Sequence, residues 1–268
     1  MKTSDVMKNI NVRAILVVLA LFLLVFTVTT SSADEDGEKQ EQIDPRSEQV
    51  LAAMGQHLGG LKQFAFTADV SYDSTTESGQ LIEMNERHSV AVKRPGQLRA
   101  TVLGKNGIRL AIINNKMLTL YDRNSGKYFQ AGVPADLDGA IDSLVIDLGM
   151  SLPSADFVYA DPASVMKAQV KSSTYLGVTL LKEQPCHHLA FKQDGLHWQL
   201  WVSAGAHPVP VRITMQYIKR AGSPRFSADL AWETNGMTFS DLAFTFIPDD
   251  SAVQVKTVKE LGFEEVSE

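Results

Sequence analysis

A single cysteine, Cys186, stands among 268 residues. An internal disulfide is therefore excluded, and the core must stabilise the fold unaided. Positive charge is also in short supply: 25 Lys and Arg face 31 Asp and Glu, a net charge of −6. That balance argues against nucleic acid or an anionic membrane surface as partner. No Gly-rich phosphate loop, zinc-protease helix motif or serine nucleophile elbow occurs. The carboxylates are scattered, with no spacing that assigns acid and base roles. No repeat of solenoid period is present. The chain reads as non-enzymatic, with no cofactor called for.

Long hydrophobic runs are scarce too, and the exception is informative. Ala14–Val28 is continuously apolar apart from Thr27; Lys2, Lys8 and Arg13 precede it and Ser31-Ser32-Ala33 follows. A basic segment, an apolar segment and small residues before a cut after Ala33 make a secretory signal peptide over residues 1–33. The run is short for a bilayer span, and the other reading is an uncleaved anchor. Both export the remainder. No cysteine ends the apolar run, so no lipid is expected at a processed N-terminus. Residues 34–43 form an acidic linker, and residues 44–268 are expected to make one domain. With 44% hydrophobic and 21% charged residues, that domain is ordinary globular material.

Three helices are expected. Asp44-Pro45 opens the first, with Asp as N-cap and Pro where a missing N–H costs nothing. Val50, Leu51, Met54, Leu58 and Leu61 give it one apolar face, and Gly59-Gly60 ends it. The second spans Leu137–Met150, with Leu137, Ile141, Leu144, Val145 and Leu148 recurring at helical spacing. Asp161-Pro162 opens a short third, carrying Val165, Met166 and Val170. The rest alternates as strands: Phe64–Tyr72, Leu81–Lys93, Leu98–Leu103, Ile108–Ile113, Met117–Tyr121 and Lys127–Gln130. After the middle helices come Tyr175–Leu180, Cys186–Lys192, Leu196–Val202, Val211–Ile218, Phe226–Trp232 and Leu242–Ile247. Closely spaced strands with grouped helices predict an α+β fold, an antiparallel sheet with helices on one face.

One hairpin resolves to single residues. A two-residue turn at Asp194-Gly195 opposes Lys192 to His197, Phe191 to Trp198, Leu189 to Leu200 and His188 to Trp201. One face then shows His187, Leu189, Phe191, Trp198, Leu200 and Val202, apolar enough for a core or a cavity. The other shows Cys186, His188, Ala190, Lys192, His197, Gln199 and Trp201, and is expected to be wet. Cys186, His187, His188, His197 and His207 are the one metal-like group. Residues three apart on a strand lie about 10 Å apart, so no metal site is assigned, and nothing nearby is placed to activate the Cys186 thiol.

Lys93-Arg94-Pro95 and, about twenty residues on, Asn115-Lys116-Met117-Leu118-Thr119-Leu120-Tyr121 resemble the lipoprotein-carrier family typified by LolA. Four further stretches resemble a narrower family of uncharacterised predicted periplasmic proteins beside the LolA, LolB and RseB folds. They are Cys186–Phe191, Trp198–Val202 with Pro208–Ile213, and Phe244–Pro248. The resemblance implies an incomplete antiparallel β-barrel of about eleven strands, LolA-like, with helices as a lid over a hydrophobic concavity. It implies a lid-closing role for Arg94; on the residues alone Arg94 is equally a surface strand arginine before a proline bend. The chain departs from the carriers between Tyr121 and Tyr175 and in its His/Trp hairpin.

The expected function is a monomeric periplasmic carrier holding a hydrophobic small molecule or a lipoprotein acyl chain, with a membrane protein as a further partner. The expected cavity residues are Phe66, Tyr121, Leu144, Leu148, Leu189, Phe191, Trp198 and Leu200. The alternative is an RseB-like protein-interaction or lipid-sensing module.

Overall fold

The computed structural model describes residues 42–150, 152 and 154–262. The leader 1–33 and most of the linker 34–43 lie outside them. The first helix, α1 (Pro45–Gly60), starts where expected. The Asp44 carboxylate accepts from the Arg46 N–H, Pro45 takes the first helical position, and Leu51, Met54 and Leu58 are buried. The second, α2 (Leu137–Ile146), is capped by Asp136 accepting from the Gly139 N–H. It stops short of the expected Met150, because Gly149 turns into the left-handed region at φ 61°. Val145 consequently lies off the buried face, 44% exposed, beside Ile146 at 76%. The third, α3 (Pro162–Lys167), is capped by Asp161 accepting from the Ser164 N–H, and buries Met166.

Among the described residues, twelve strands form one sheet. Six precede the helices of the middle segment: β1 (Gln63–Thr75), β2 (Leu81–Lys93), β3 (Gln97–Gly104), β4 (Gly107–Asn114), β5 (Met117–Asp122) and β6 (Lys127–Gly132). Six follow: β7 (Ser172–Leu181), β8 (Gln184–Gln193), β9 (Leu196–Ser203), β10 (Pro210–Tyr217), β11 (Arg225–Glu233) and β12 (Val253–Gln254). Their order is β12-β6-β5-β4-β3-β2-β1-β11-β10-β9-β8-β7. Strand β1 thus joins two meanders, and every pairing is antiparallel except the short β12–β6 contact. Strands β12 and β7 stay at opposite edges, so the sheet is open rather than a closed barrel.

The helices pack on one face. Buried side chains of α1, α2 and α3 share a single core with Phe64, Phe66, Ala68 and Val70 of β1 and with inward residues of the other strands. Period-two alternation selects this face. The hairpin of β8 and β9 has the expected register, with Phe191 opposite Trp198 and Leu189 opposite Leu200. Its outer face departs from expectation at Cys186, which is fully buried. The β8–β9 ladder continues past it, with the Ala204 N–H donating to the Pro185 carbonyl.

The expected strand at Leu242–Ile247 is not a strand. Asp241–Phe244 form a 3-10 turn whose Phe244 is fully buried. The segment is fastened across the outer face: Arg99 donates to the Ala243 carbonyl, and Lys93 Nζ pairs with Asp241 at 2.6 Å. Its Phe246 covers a small second core of Leu110, Ile112 and Tyr121. Side-chain attachment to a sheet face replaced backbone pairing at an edge.

Candidate functional site

The inward face of β1–β4 is not uniformly filled. Phe66, Val90, Ala100 and Ala111 form one row across four strands, with the two alanines directly opposite each other. The next row is Ala68, His88, Val102 and Arg109. Three alanines among these positions leave volume that larger side chains would occupy. The result is a cavity of about 430 Å3. Its floor is the inward face of β1–β4, and its roof is Ile141 and Leu144 of α2 with Met150, Leu152, Ala155 and Val158 beyond. Side chains of β4 and of the turn joining β10 to β11 line the same space, so the sheet curves around it.

Glu86, His88, Tyr72 and Arg109 interrupt the apolar lining. His88 Nε2 lies 2.9 Å from Glu86 Oε2, and the Tyr72 hydroxyl donates to Glu86 Oε1 at 3.3 Å. The hydrogen bond from His88 lowers the Glu86 pKa, with Arg109 adding to the effect; burial opposes them. Tyr72, Asp73, Tyr217, Arg220 and Arg225 stand around the opening.

Of the expected cavity residues, Phe66 and Leu144 line this space. Leu189, Phe191, Trp198 and Leu200 are on the inward face but in its filled part, where the Phe191 and Trp198 rings stack at 3.9 Å between centroids. Leu148, beyond the end of α2, is half-buried against the core and outside the cavity. Tyr121 is on the opposite face. Alternation along β5 turns Leu118 and Leu120 inward, and Tyr121 outward against Phe246, with its hydroxyl on Asp249. Sequence reasoning missed the alanine floor and the Glu86–His88 pair. The signal was present: Glu86 and His88 have the same parity as the inward Val90 and Val92.

Arg94 lies between the helices. Its Nε donates to the Leu61 carbonyl just past α1 at 3.2 Å, and its Nη2 to the Tyr159 carbonyl ahead of α3 at 2.9 Å. Its guanidinium also sits 5.7 Å from the Phe64 ring centroid. Burial lowers its pKa, and Asp138 works in the other direction.

The histidines are dispersed. His188 meets Gln199 at 2.9 Å and stacks on Trp201, His187 meets the Tyr175 hydroxyl, and His207 lies against His57. Among the described residues, no three His, Cys, Asp or Glu side chains gather as a metal site. No described helix is long and apolar enough to cross a membrane.

No curated protein matches the chain in sequence. Among solved structures, an uncharacterised conserved protein from Thermus thermophilus is similar at 12% identity and a TM-score of 0.46, over 78% of this chain and 99% of its own. The lipoprotein LppX of Mycobacterium tuberculosis is similar at 9% identity and 0.46, over 73% and 98%. A LolA superfamily protein from Nitrosomonas europaea is similar at 12% identity and 0.38, over 74% and 97%. The match to a sequence family is more extensive, running over residues 47–258. The chain belongs to the family of predicted periplasmic proteins DUF2092, and it is a periplasmic protein.

Proposed function

We propose that this protein is a non-enzymatic carrier that shelters a hydrophobic ligand, such as a lipid or lipoprotein acyl chain, between the sheet and α2. The observation that carries the reading is the apolar cavity of about 430 Å3 over the Ala68, Ala100 and Ala111 floor. Ligand pockets typically enclose about 300–1,000 Å3, and each buried CH₂ contributes about 0.8 kcal/mol. A chain of a dozen carbons thus needs no dedicated polar chemistry to bind. In this reading α2 and the residues after it are the lid, and Arg94 ties α1 to the segment entering α3 and restrains its opening.

The test fills the floor. A fluorescent apolar probe is titrated into the wild-type protein and into Ala100→Phe. Saturable one-to-one binding by the wild type, lost in the variant with circular dichroism unchanged, is the expected result. A folded wild-type protein that shows no saturable binding overturns the proposal.

A further inference from the structure

The cavity has two chemically different ends. Under α2 the lining is Ile141, Leu144, Val90 and the alanines. Phe66 near this end and Asp73 at the opening are seven residues apart on β1, about 23 Å along a strand. Arg220 and Arg225 on the β10–β11 side and Arg109 on β4 line the same space, with three strands between them in the sheet, and Arg109 Nη2 also donates to the Gly262 carbonyl at 3.3 Å. Three arginines and two acids, Asp73 and Glu86, in one lining give it a positive balance in a chain whose net charge is −6.

Each acid in the lining has a hydrogen-bond partner. Glu86 receives His88 and Tyr72, and Asp73 Oδ2 accepts the Arg225 backbone N–H at 2.9 Å. Among the described residues, neither the Arg220 nor the Arg225 guanidinium is in a salt bridge. Arg220 rests over the Tyr217 ring, 4.6 Å from its centroid, which steadies a long side chain by a cation–π contact. A guanidinium fork matches the two oxygens of a carboxylate or phosphate.

We infer that the ligand is an anionic amphiphile whose carboxylate or phosphate head is held by Arg220 and Arg225 while its chain lies under α2. The inference rests on the carrier reading above and adds the chemistry of the head. A neutral head forms no ion pair with either guanidinium group. A cationic head meets two guanidinium groups of like charge.

Displacement of the fluorescent probe by four ligands of equal chain length tests it: hexadecanoate, hexadecyl phosphate, hexadecanol and hexadecylammonium. At least one anion binds about tenfold tighter than hexadecanol, the scale of one charge-assisted hydrogen bond, and which anion wins names the source of the head. The preference weakens with salt. The Arg220→Gln/Arg225→Gln variant loses it and binds hexadecanol as the wild type does. Saturable hexadecanol binding with no gain for either anion, a preference for the ammonium, or an anion preference that survives in the double variant overturns the headgroup inference and leaves the carrier reading standing. Failure of every ligand and of the probe to bind overturns both.

Discussion

Arg94 and Tyr159, 65 residues apart in the chain, are joined by a 2.9 Å hydrogen bond from the guanidinium to the main-chain carbonyl. A second bond from the same side chain reaches Leu61. One strand-end residue thereby holds both the end of α1 and the entrance to α3.

Arg94→Leu removes both bonds and leaves two carbonyls seeking donors. A hydrogen bond to a charged group contributes about 1.5–3 kcal/mol, and the partial exposure of this one puts the expected loss near the lower end. Urea unfolding should show a fall of about 2 kcal/mol with the sheet intact. Stopped-flow release of a bound apolar probe should become faster. Unchanged release kinetics would make Arg94 a purely structural contact.

Helices α1 and α3 touch at Gly55. A Cβ placed there would lie 2.6 Å from the Ala163 Cβ and 2.9 Å from its backbone nitrogen. Gly55→Ala gains about 1 kcal/mol of helix propensity, but overpacking costs about 1–3 kcal/mol, so net destabilisation is expected. Adding Ala163→Gly should restore part of the loss. Equal thermal midpoints for the wild type and Gly55→Ala would contradict so close a packing.

Asp44 links the start of α1 to the sheet edge. Its carboxylate pairs with the Arg46 side chain, accepts from the Arg46 N–H, and accepts from the Tyr175 N–H of β7. These bonds lower its pKa from 3.8 to about 2, the Arg46 side chain contributing most. A folded pKa below the unfolded one contributes stability above the unfolded value, and the contribution is lost as pH falls through the folded one. Thermal midpoints of the wild type should therefore drop more steeply from about pH 4 to 2 than those of Asp44→Asn, which keeps an N-capping side chain but does not titrate. Parallel curves would show that Asp44 has no part in the acid limb.

Cys186 is fully buried, and burial raises its thiol pKa. An aromatic disulfide reagent should leave the native protein unlabelled at neutral pH and modify one thiol per chain in denaturant. Rapid labelling of the native protein would place this end of β8 in solvent.

Local rules account for much of the chain. Asp44-Pro45 and Asp161-Pro162 were legible as helix starts because the cap and the fixed proline φ act within one turn. The β8–β9 register was legible because a two-residue turn leaves only one pairing of the strands, and alternation then sorts Leu189, Phe191, Trp198 and Leu200 to one side. The α+β class followed from the same short-range signals.

Position relative to distant segments was not legible. Leu242–Ile247 alternates like a strand, but Lys93 and Arg99 fasten it across a face, and only the folded sheet brings those two side chains to it. Tyr121 could be assigned a parity within β5 but not a side, since sidedness depends on where α2 and the 241–247 segment settle. The cavity belongs to the same class. A row of large apolar residues such as Phe191 and Trp198 reads as a binding surface, yet those side chains fill their own space. The hollow lies where small residues from neighbouring strands meet under a roof that comes much later in the chain. The sequence by itself determined caps, turns and alternation, which depend on neighbours a few residues apart. Tertiary structure decided which inward face stays unfilled and which charges surround it, because empty volume is a property of all its walls together.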